Sequence, residues 1–274
     1  MALQSPRFRS SRKLVQAEAG LTIRAGASGR HVHLVQMALI DLGYPMPRST
    51  TNPRYSPDGV FGNETRDKLI AFQNANRIPP TGAIDRATIQ VLDRLCRNYT
   101  HRVRLHFRSL AENNVPFERG LSDAEIVYGQ YGIKIEFASG MSLMLTAQEE
   151  ADFAVVDDAC TWTITDGEYA RLHQMGPAIP QVDIGVFYVR ALSDAGGCGG
   201  HMVGRPACTV AANVTRWATA HEVGHVLLTS SFNPTHVASN RNLMMADVLH
   251  FSTTPVLTDR QVAQIKASPC CTRV

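Results

Sequence analysis

The sequence has no apolar run long enough to cross a bilayer, and it has little net charge. Charged residues make up 19% of the chain and the formal net charge is +3. A membrane-spanning helix needs about 20 consecutive apolar residues. A nucleic-acid-binding protein usually carries a basic face or stripe. We therefore expect no membrane span and no nucleic-acid partner.

The start of the sequence also lacks the apolar segment of a secretory signal. It is basic and polar, with the run RFRSSRK. A classical signal would place an apolar stretch of 7–15 residues directly after its positive charges. We expect residues 1–20 to be a disordered or loosely docked arm. We also expect that any export follows a non-classical route, with a longer precursor as the alternative.

No pair of cysteines has CxxC spacing, so zinc bound by cysteine is not expected. Cys198 and Cys208 bracket a glycine-rich segment and could be joined by a disulfide across a hairpin, although free buried thiols are the alternative. The neighbours Cys270 and Cys271 are expected to pair with other cysteines rather than with each other. The remaining two are Cys96 and Cys160.

Residues 21–96 contain a loose internal repeat, with copies at 23–44 and 58–78. In the first copy, apolar residues recur in steps of three and four, as on one face of a helix: Val32, Val35, Leu39 and Leu42. Gln73 of the second copy stands where Gln36 stands in the first. Residues 81–95 predict a third helix, and a turn-rich segment lies between the copies.

This segment resembles the bacterial peptidoglycan-binding family of three-helix modules. The resemblance lies in residues 26–36 with Leu42-Gly43-Tyr44, residues 58–62 with Thr65, Phe72 and Gln73, and Thr81-Gly82 with Thr88 and Leu92. It implies a bacterial protein whose module docks on cell-wall polymers and brings a fused catalytic domain to its substrate. A helical spacer is the alternative interpretation.

From residue 101 onward the pattern changes to that of a mixed domain. HRVRLHF, IKIEF and VDIGVFYVRAL are typical of strands, whereas LSDAEIVYGQYG, TRWATAHEVGHVLLTS and LTDRQVAQIKA are typical of helices. Together with the helical module they predict the α+β class. Residues 196–210 are expected to be an edge strand along which an extended peptide could pair, with a flexible glycine loop as the alternative.

The strongest chemical signal is the run HEVGH at residues 221–225. His221 and His225 lie four residues apart, so on a helix they share one face and can bind one metal ion. Glu222 stands beside them, where a carboxylate can take a proton from a metal-activated water. Apolar flanks predict a buried helix, in which unpaired imidazoles would be costly. Two surface histidines are therefore the weaker interpretation.

A catalytic zinc usually has three protein ligands. We predict His236 as the third, because an Asn-Pro step ends the helix and lets the chain fold back. Asp247, His250 and His201 are the alternatives.

At this point residues 101–274 resemble the metzincin-like and matrixin-like zinc peptidases. The resemblance implies a zincin-like α+β metallopeptidase domain with Zn²⁺ as its cofactor. It makes His221 and His225 ligands and Glu222 the general base, and it places Met244 in a methionine turn beneath the metal. Strict relatives have glycine and histidine where this chain has Leu228 and Ser231. The helix is therefore expected to run longer here.

Some relatives have a tyrosine after the methionine turn, which steadies the tetrahedral intermediate. No tyrosine follows Met244 in this sequence. His250 is a candidate donor to the oxyanion, and a packing histidine is the alternative.

The sequence thus predicts a zinc endopeptidase directed to the bacterial cell wall. Its expected substrates are peptidoglycan cross-links or wall-associated proteins. The expected location is outside the producing cell, in the periplasm or cell wall, as for a secreted antibacterial effector that has an immunity or inhibitor protein. The alternative is a non-catalytic wall-binding protein with a structural or decayed zinc site. Another divalent ion could replace zinc at imidazole ligands.

Overall fold

The computed structural model describes residues 2–50, 57–111, 117–193, 196–214, 216–238, 241–246 and 253–274. The chain forms two compact units. The first comprises residues 1–100, 129–132 and 258–262, and the second comprises 101–128, 133–257 and 263–274. No helix in these described ranges is long and apolar enough to cross a membrane. The predicted α+β class with an N-terminal helical module is confirmed.

The first unit contains α1 Arg12–Glu18, α2 Arg30–Asp41, α3 Asn63–Ala75 and α4 Arg86–Leu95. Its apolar core includes Phe8 and Leu14, both fully buried. The expectation of a loosely docked arm over residues 1–20 is therefore wrong. The expectation gave weight to the basic residues of this segment and too little to its apolar ones. Burying a Phe or Leu side chain stabilises the fold by about 1.5–3 kcal/mol, which is enough to dock the segment.

A buried glutamine has the same role in each copy of the repeat. Gln36 accepts a 2.9 Å hydrogen bond from the Gly59 amide, and Gln73 accepts one of the same length from the Gly82 amide. Both glycines have positive φ, near 69° and 61°. Each glutamine also donates to a threonine of the next helix, which is Thr65 or Thr88. In each copy the buried glutamine thus holds a tight turn against the next helix, an arrangement that we call the glutamine clamp.

Replacing one of these glutamines should weaken the first unit. Gln73→Ala leaves the buried Gly82 amide without its acceptor and removes one of the two hydrogen bonds that the Ala83 carbonyl accepts. We expect the free energy of unfolding to fall by about 3 kcal/mol, because an unsatisfied buried donor costs about 1–3 kcal/mol and each further lost hydrogen bond about 0.5–1.5 kcal/mol. Urea unfolding followed by circular dichroism measures it. The matched control is Gln90→Ala on the exposed side of α4, expected to change stability by less than about 0.5 kcal/mol. Equal effects would contradict the clamp.

The second unit contains a mixed sheet. Its strands are β1 His101–Ser109, β2 Ile133–Ser142, β3 Ile184–Val189, β4 Gly197–Cys198, β5 Ala207–Ala211 and β6 Thr272–Arg273. The order is β2-β1-β3-β5-β4, and β6 pairs with β1. The strands β2, β1, β3 and β5 run parallel, whereas β4 is antiparallel to β5. Every residue of β3 and β5 is buried, as is typical of interior parallel strands.

Four helices of the described second unit accompany the sheet: α5 Phe117–Tyr128, α6 Ala147–Asp152, α7 Gly167–His173 and α8 Ala218–Leu228. A further helix, α9 Asp259–Ala267, has residues in both units. Helix α8 packs against β3, β4, β5 and α5. All of its residues are buried, so its polar side chains must find partners inside the unit.

The structure corrects two expectations about this unit. The predicted edge strand over 196–210 is present only as β4, because β5 lies between β3 and β4. The expected longer helix is also wrong. Helix α8 ends at Leu228, and Thr229 follows with φ near 64°. A positive φ ends a helix in the way that a C-terminal glycine does.

The cysteine expectations also need correction. Cys198 is joined to Cys160, not to Cys208. Cys208, Cys270 and Cys271 are free and buried. Cys160 and Cys198 are 38 residues apart in sequence, so their disulfide requires that β4 pack against the segment around Cys160. The spacing of cysteines along the chain does not predict this packing.

Candidate metal centre

Helix α8 brings two of the predicted ligands together. His221 and His225 lie one turn apart, and their Nε2 atoms are 3.0 Å from each other. The chain then turns back, and the Nε2 atom of His236 lies 3.3 Å from that of His221 and 3.2 Å from that of His225. The structure therefore gathers these three ring nitrogens into one group that could hold a metal ion.

The spacing of these atoms fits a tetrahedral ion. Ligands placed 2.0–2.1 Å from zinc in tetrahedral geometry lie about 3.3–3.4 Å from one another. The observed separations of 3.0–3.3 Å are close to that value. Without an ion, the three Nε2–Nε2 contacts could not all be hydrogen bonds, because an Nε2 atom that has no proton cannot donate one.

The Nε2 atom of His221 has no proton. Its Nδ1 atom lies 2.7 Å from the carbonyl oxygen of Leu243. A carbonyl only accepts hydrogen bonds, so Nδ1 carries the proton and Nε2 of the neutral ring presents a lone pair. The same hydrogen bond fixes the orientation of the ring, as is usual for histidines that bind metals. The donor set therefore fits a divalent ion.

The surroundings keep the rings neutral. Burial lowers the pKa of His221 to about 4. Burial and the neighbouring rings of His221 and His236 lower the pKa of His225 to about 2. Burial also lowers the pKa of His236, although this side chain is the most exposed of the three. Only neutral imidazole binds a metal, so the group is ready to bind one at neutral pH.

Glu222 faces the same cavity. Its side chain is buried, and burial raises its pKa to about 8. The cavity has a volume of about 420 Å³. It is lined by His221, Glu222, His225 and His236, and also by Trp162 and the glycine-rich segment 196–200. A carboxylate that prefers its proton, beside three neutral imidazoles, is an arrangement suited to proton transfer.

The glycines of segment 196–200 allow this close packing. A Cβ atom on Gly197 would overlap the carboxylate of Glu222, and one on Gly199 would overlap the Cβ of His225. The backbone of the cavity wall therefore lies directly against α8. Sequence analysis left open whether these glycines were a flexible loop, but their contacts show a packed wall.

A side chain at Gly199 should disturb the centre. In Gly199→Ala the new methyl group and His225 would compete for the same space. We expect a loss of stability of about 1–3 kcal/mol, as for overpacked cores, together with weaker metal binding. Thermal unfolding and metal content after dialysis measure the two effects. The control is Gly62→Ala, whose added Cβ meets no described atom within 4 Å. Unchanged metal content in Gly199→Ala would contradict the packed wall.

The segment after α8 is positioned by backbone hydrogen bonds. The amide of Val237, next to His236, donates to the carbonyl of Met244 at 2.9 Å. The amide of Met244 in turn donates to Asn242 Oδ1 at 2.9 Å. Met244 is fully buried, and a Cβ on Gly224 of α8 would come within 2.6 Å of its sulfur. The turn at residues 241–246 thus lies under the helix that carries the ligands.

The other candidate residues fall elsewhere. His201, an alternative third ligand, faces the carbonyl of Gly199 at 3.2 Å and does not belong to the group of described metal-binding side chains. Asp247 and His250, including the proposed role of His250 at the oxyanion, lie outside the described residues. Three features of the centre were not predicted from the sequence: Trp162 and Cys160 at the cavity, and the carbonyl of Leu243. In the sequence, only the closeness of Cys160 to Trp162 could have drawn attention to this segment.

Comparison with known proteins identifies the N-terminal part. Residues 28–92 match the family described as "Putative peptidoglycan binding domain". A peptidoglycan-binding protein from Clostridioides difficile, solved with glutamine hydroxamate, is 32% identical, with a TM-score of 0.24. That match covers 28% of this chain and 42% of the clostridial chain, so this chain spans less than half of its relative's length. No significant match to a curated protein was found.

The archaemetzincin of Methanopyrus kandleri is a second structural neighbour. It is 13% identical, with a TM-score of 0.35, and the match covers 61% of this chain and 94% of that one. This likeness is too weak to assign the centre. The chain is therefore an α+β protein with an N-terminal peptidoglycan-binding domain and a three-histidine group that could hold a metal ion.

Proposed function

We propose that the protein is a zinc-dependent endopeptidase directed to the bacterial cell wall. One observation carries the proposal: the Nε2 atoms of His221, His225 and His236 converge within 3.0–3.3 Å beside the buried carboxylate of Glu222, in one cavity. Neutral nitrogen ligands next to a carboxylate are the side chains that peptide hydrolysis by a metal enzyme requires.

Each residue then has a defined role. The three histidines hold the ion, and the Leu243 carbonyl holds His221 in the tautomer that can bind it. When bound, the ion supplies Lewis-acid polarisation of the peptide carbonyl. Glu222 takes a proton from the attacking water and delivers it to the leaving amine nitrogen. Glu222 is buried beside the three histidines, so its carboxylate lies where both proton transfers would occur.

The metzincin-like interpretation belongs to this proposal. The supporting features are the histidines one turn apart, the third histidine after the helix, and the buried Met244 beneath Gly224. The short edge strand β4 borders the cavity. An extended peptide could pair along it, because strand addition uses main-chain hydrogen bonds.

The peptidoglycan-binding domain would direct the protein to the cell wall. Wall polymer bound by residues 28–92 would raise the local concentration of wall peptides and wall-associated proteins around the cavity. We therefore propose a site of action at the cell wall, outside the producing cell. An antibacterial effector role, with an immunity or inhibitor protein as partner, is a further part of this proposal.

The competing function is wall binding with a purely structural zinc. A structural site is usually closed by four protein ligands. The described residues offer three, and the group opens on a cavity of about 420 Å³. An open position beside a carboxylate favours catalysis.

The deciding experiment compares two substrates. The zinc-loaded full chain is incubated with purified sacculi and, in parallel, with casein, and products are identified by mass spectrometry. Glu222→Gln serves as the control in both arms. We expect the wild type to release muropeptides from sacculi or to cleave casein, and Glu222→Gln to do neither. Activity on neither substrate, with zinc bound, would overturn the enzyme proposal and leave the wall-binding function.

A further inference from the structure

The rest of the described cavity lining is uncharged. Apart from Glu222 and the three histidines, the described lining consists of glycine, alanine, threonine, a disulfide and one tryptophan. No Lys, Arg or Asp side chain is part of this described lining. Away from Glu222 and the three histidines, the described lining offers a charged substrate side chain no partner of opposite charge, so the loss of its hydration there would be costly.

Trp162 is the large side chain of this wall. Its ring lies edge-on to the ring of His225, with centroids 5.7 Å apart and planes at 75°. The side chain is half-buried, so part of the indole is accessible from the cavity. An indole offers a large apolar surface and an electron-rich face to whatever binds beside it.

The position of Trp162 is fixed by covalent and backbone contacts. Cys160 is joined to Cys198 of β4. The amide of His201 donates to the Trp162 carbonyl at 3.3 Å, and the amide of Ile164 donates to the His201 carbonyl at 3.1 Å. A Cβ on Gly200 would overlap the Thr161 carbonyl, so the two backbones lie in direct contact. Side chains held on such rigid supports discriminate between ligands better than side chains on loose loops.

We propose that Trp162 is a specificity-determining residue that selects an uncharged, apolar side chain next to the cleaved bond. This inference rests on the proposed peptidase function, because it places the substrate in the cavity at the three histidines. The indole and the glycine wall enclose the substrate side chain. Acidic and basic side chains are disfavoured because the described lining around Trp162 offers them no partner of opposite charge.

Binding can be measured without turnover. The chain has two tryptophans, and the other, Trp217, is fully buried. The zinc-loaded Glu222→Gln variant is titrated with blocked hexapeptides that differ at one position, carrying Leu, Phe, Asp or Lys. We expect the Leu and Phe peptides to change the tryptophan fluorescence and to bind at least about tenfold more tightly, in the range that pocket contacts supply. Adding Trp162→Phe to Glu222→Gln should remove the fluorescence change.

Turnover gives the second measurement. Wild type, Trp162→Ala and Trp162→Phe are compared on a blocked octapeptide library and on purified muropeptides, with cleavage sites read by mass spectrometry. We expect the wild type to favour apolar over charged residues at one flanking position by at least about tenfold in kcat/KM. Trp162→Ala should lose this preference and Trp162→Phe should keep it. Zinc content and melting temperature establish that the variants are folded.

The outcomes separate the two proposals. Cleavage that requires Glu222 but has the same preference in Trp162→Ala and wild type would overturn the role of Trp162 and leave the peptidase intact. Equal binding of charged and apolar peptides to Glu222→Gln would do the same. Absence of any cleavage that requires Glu222 would overturn both. If Trp162→Ala fails to fold, Trp162→Leu replaces it, with retained preference expected and a shift toward smaller apolar residues.

Discussion

Glu222→Gln should abolish peptide hydrolysis and leave metal binding intact. The amide has the size of the carboxylate but cannot accept a proton, so the rate should fall by about 10²–10⁴-fold, the usual contribution of a general base. Burial already disfavours the charged form of Glu222. A neutral replacement is therefore expected to leave the melting temperature unchanged or slightly higher. Cleavage rates on sacculi or casein, zinc content and thermal unfolding are the measurements.

The combination of results is what tests the role. Lost activity with full zinc content and an unchanged melting temperature supports a general base. Lost zinc together with lost activity would instead make Glu222 part of the support for the metal. Cleavage at the wild-type rate would show that the proton is transferred by another group, and the proposed mechanism would be wrong.

His236→Ala should remove the metal from the centre. His236 is the exposed member of the group and the one that does not come from α8. Its loss leaves two nitrogens for the ion. We expect zinc affinity to fall by more than about 100-fold, because the loss of a supporting partner outside the ligand set already costs 10–100-fold. Competition with a fluorescent zinc chelator measures the affinity, and activity should fall with it.

His201→Ala is the matched control. His201 is another histidine of the same unit, and its ring faces the Gly199 carbonyl rather than the three-histidine group. Zinc affinity in this variant is expected to stay within about threefold of wild type, since no ligand is lost. Equal losses in His201→Ala and His236→Ala would mean that the measurement reports general destabilisation. A loss in His201→Ala alone would exchange the ligand assignment.

The local part of the centre could be predicted because it lies within one helical turn. His221 and His225 are four residues apart, and α-helical geometry alone sets their side chains on one face. Glu222 comes with them. The apolar residues around the motif predicted a buried helix, and α8 is buried throughout. The repeat also showed that Gln73 corresponds to Gln36, whereas their hydrogen bonds to the glycine amides became visible only in the structure.

The distant part of the centre was predicted less well. The return of His236 was expected, but the helix that precedes it ends earlier than predicted, at Leu228. The partner of Cys198 was wrong, and the pairing of Trp162 with His225 was not foreseen. Each of these depends on where two segments far apart in sequence meet, and periodicity and spacing describe only neighbours within a few residues.

The amino-acid sequence by itself determined the helical module, the α+β class, and the placement of His221, Glu222 and His225 within about one turn of a helix. The tertiary structure decided which nitrogen of His221 faces the other two histidine rings, how close His236 comes, and what forms the cavity wall. The physical reason is range. Helix periodicity is a local property of the chain, whereas the Leu243 carbonyl, the Cys160–Cys198 disulfide and the glycines against α8 are brought together only by packing.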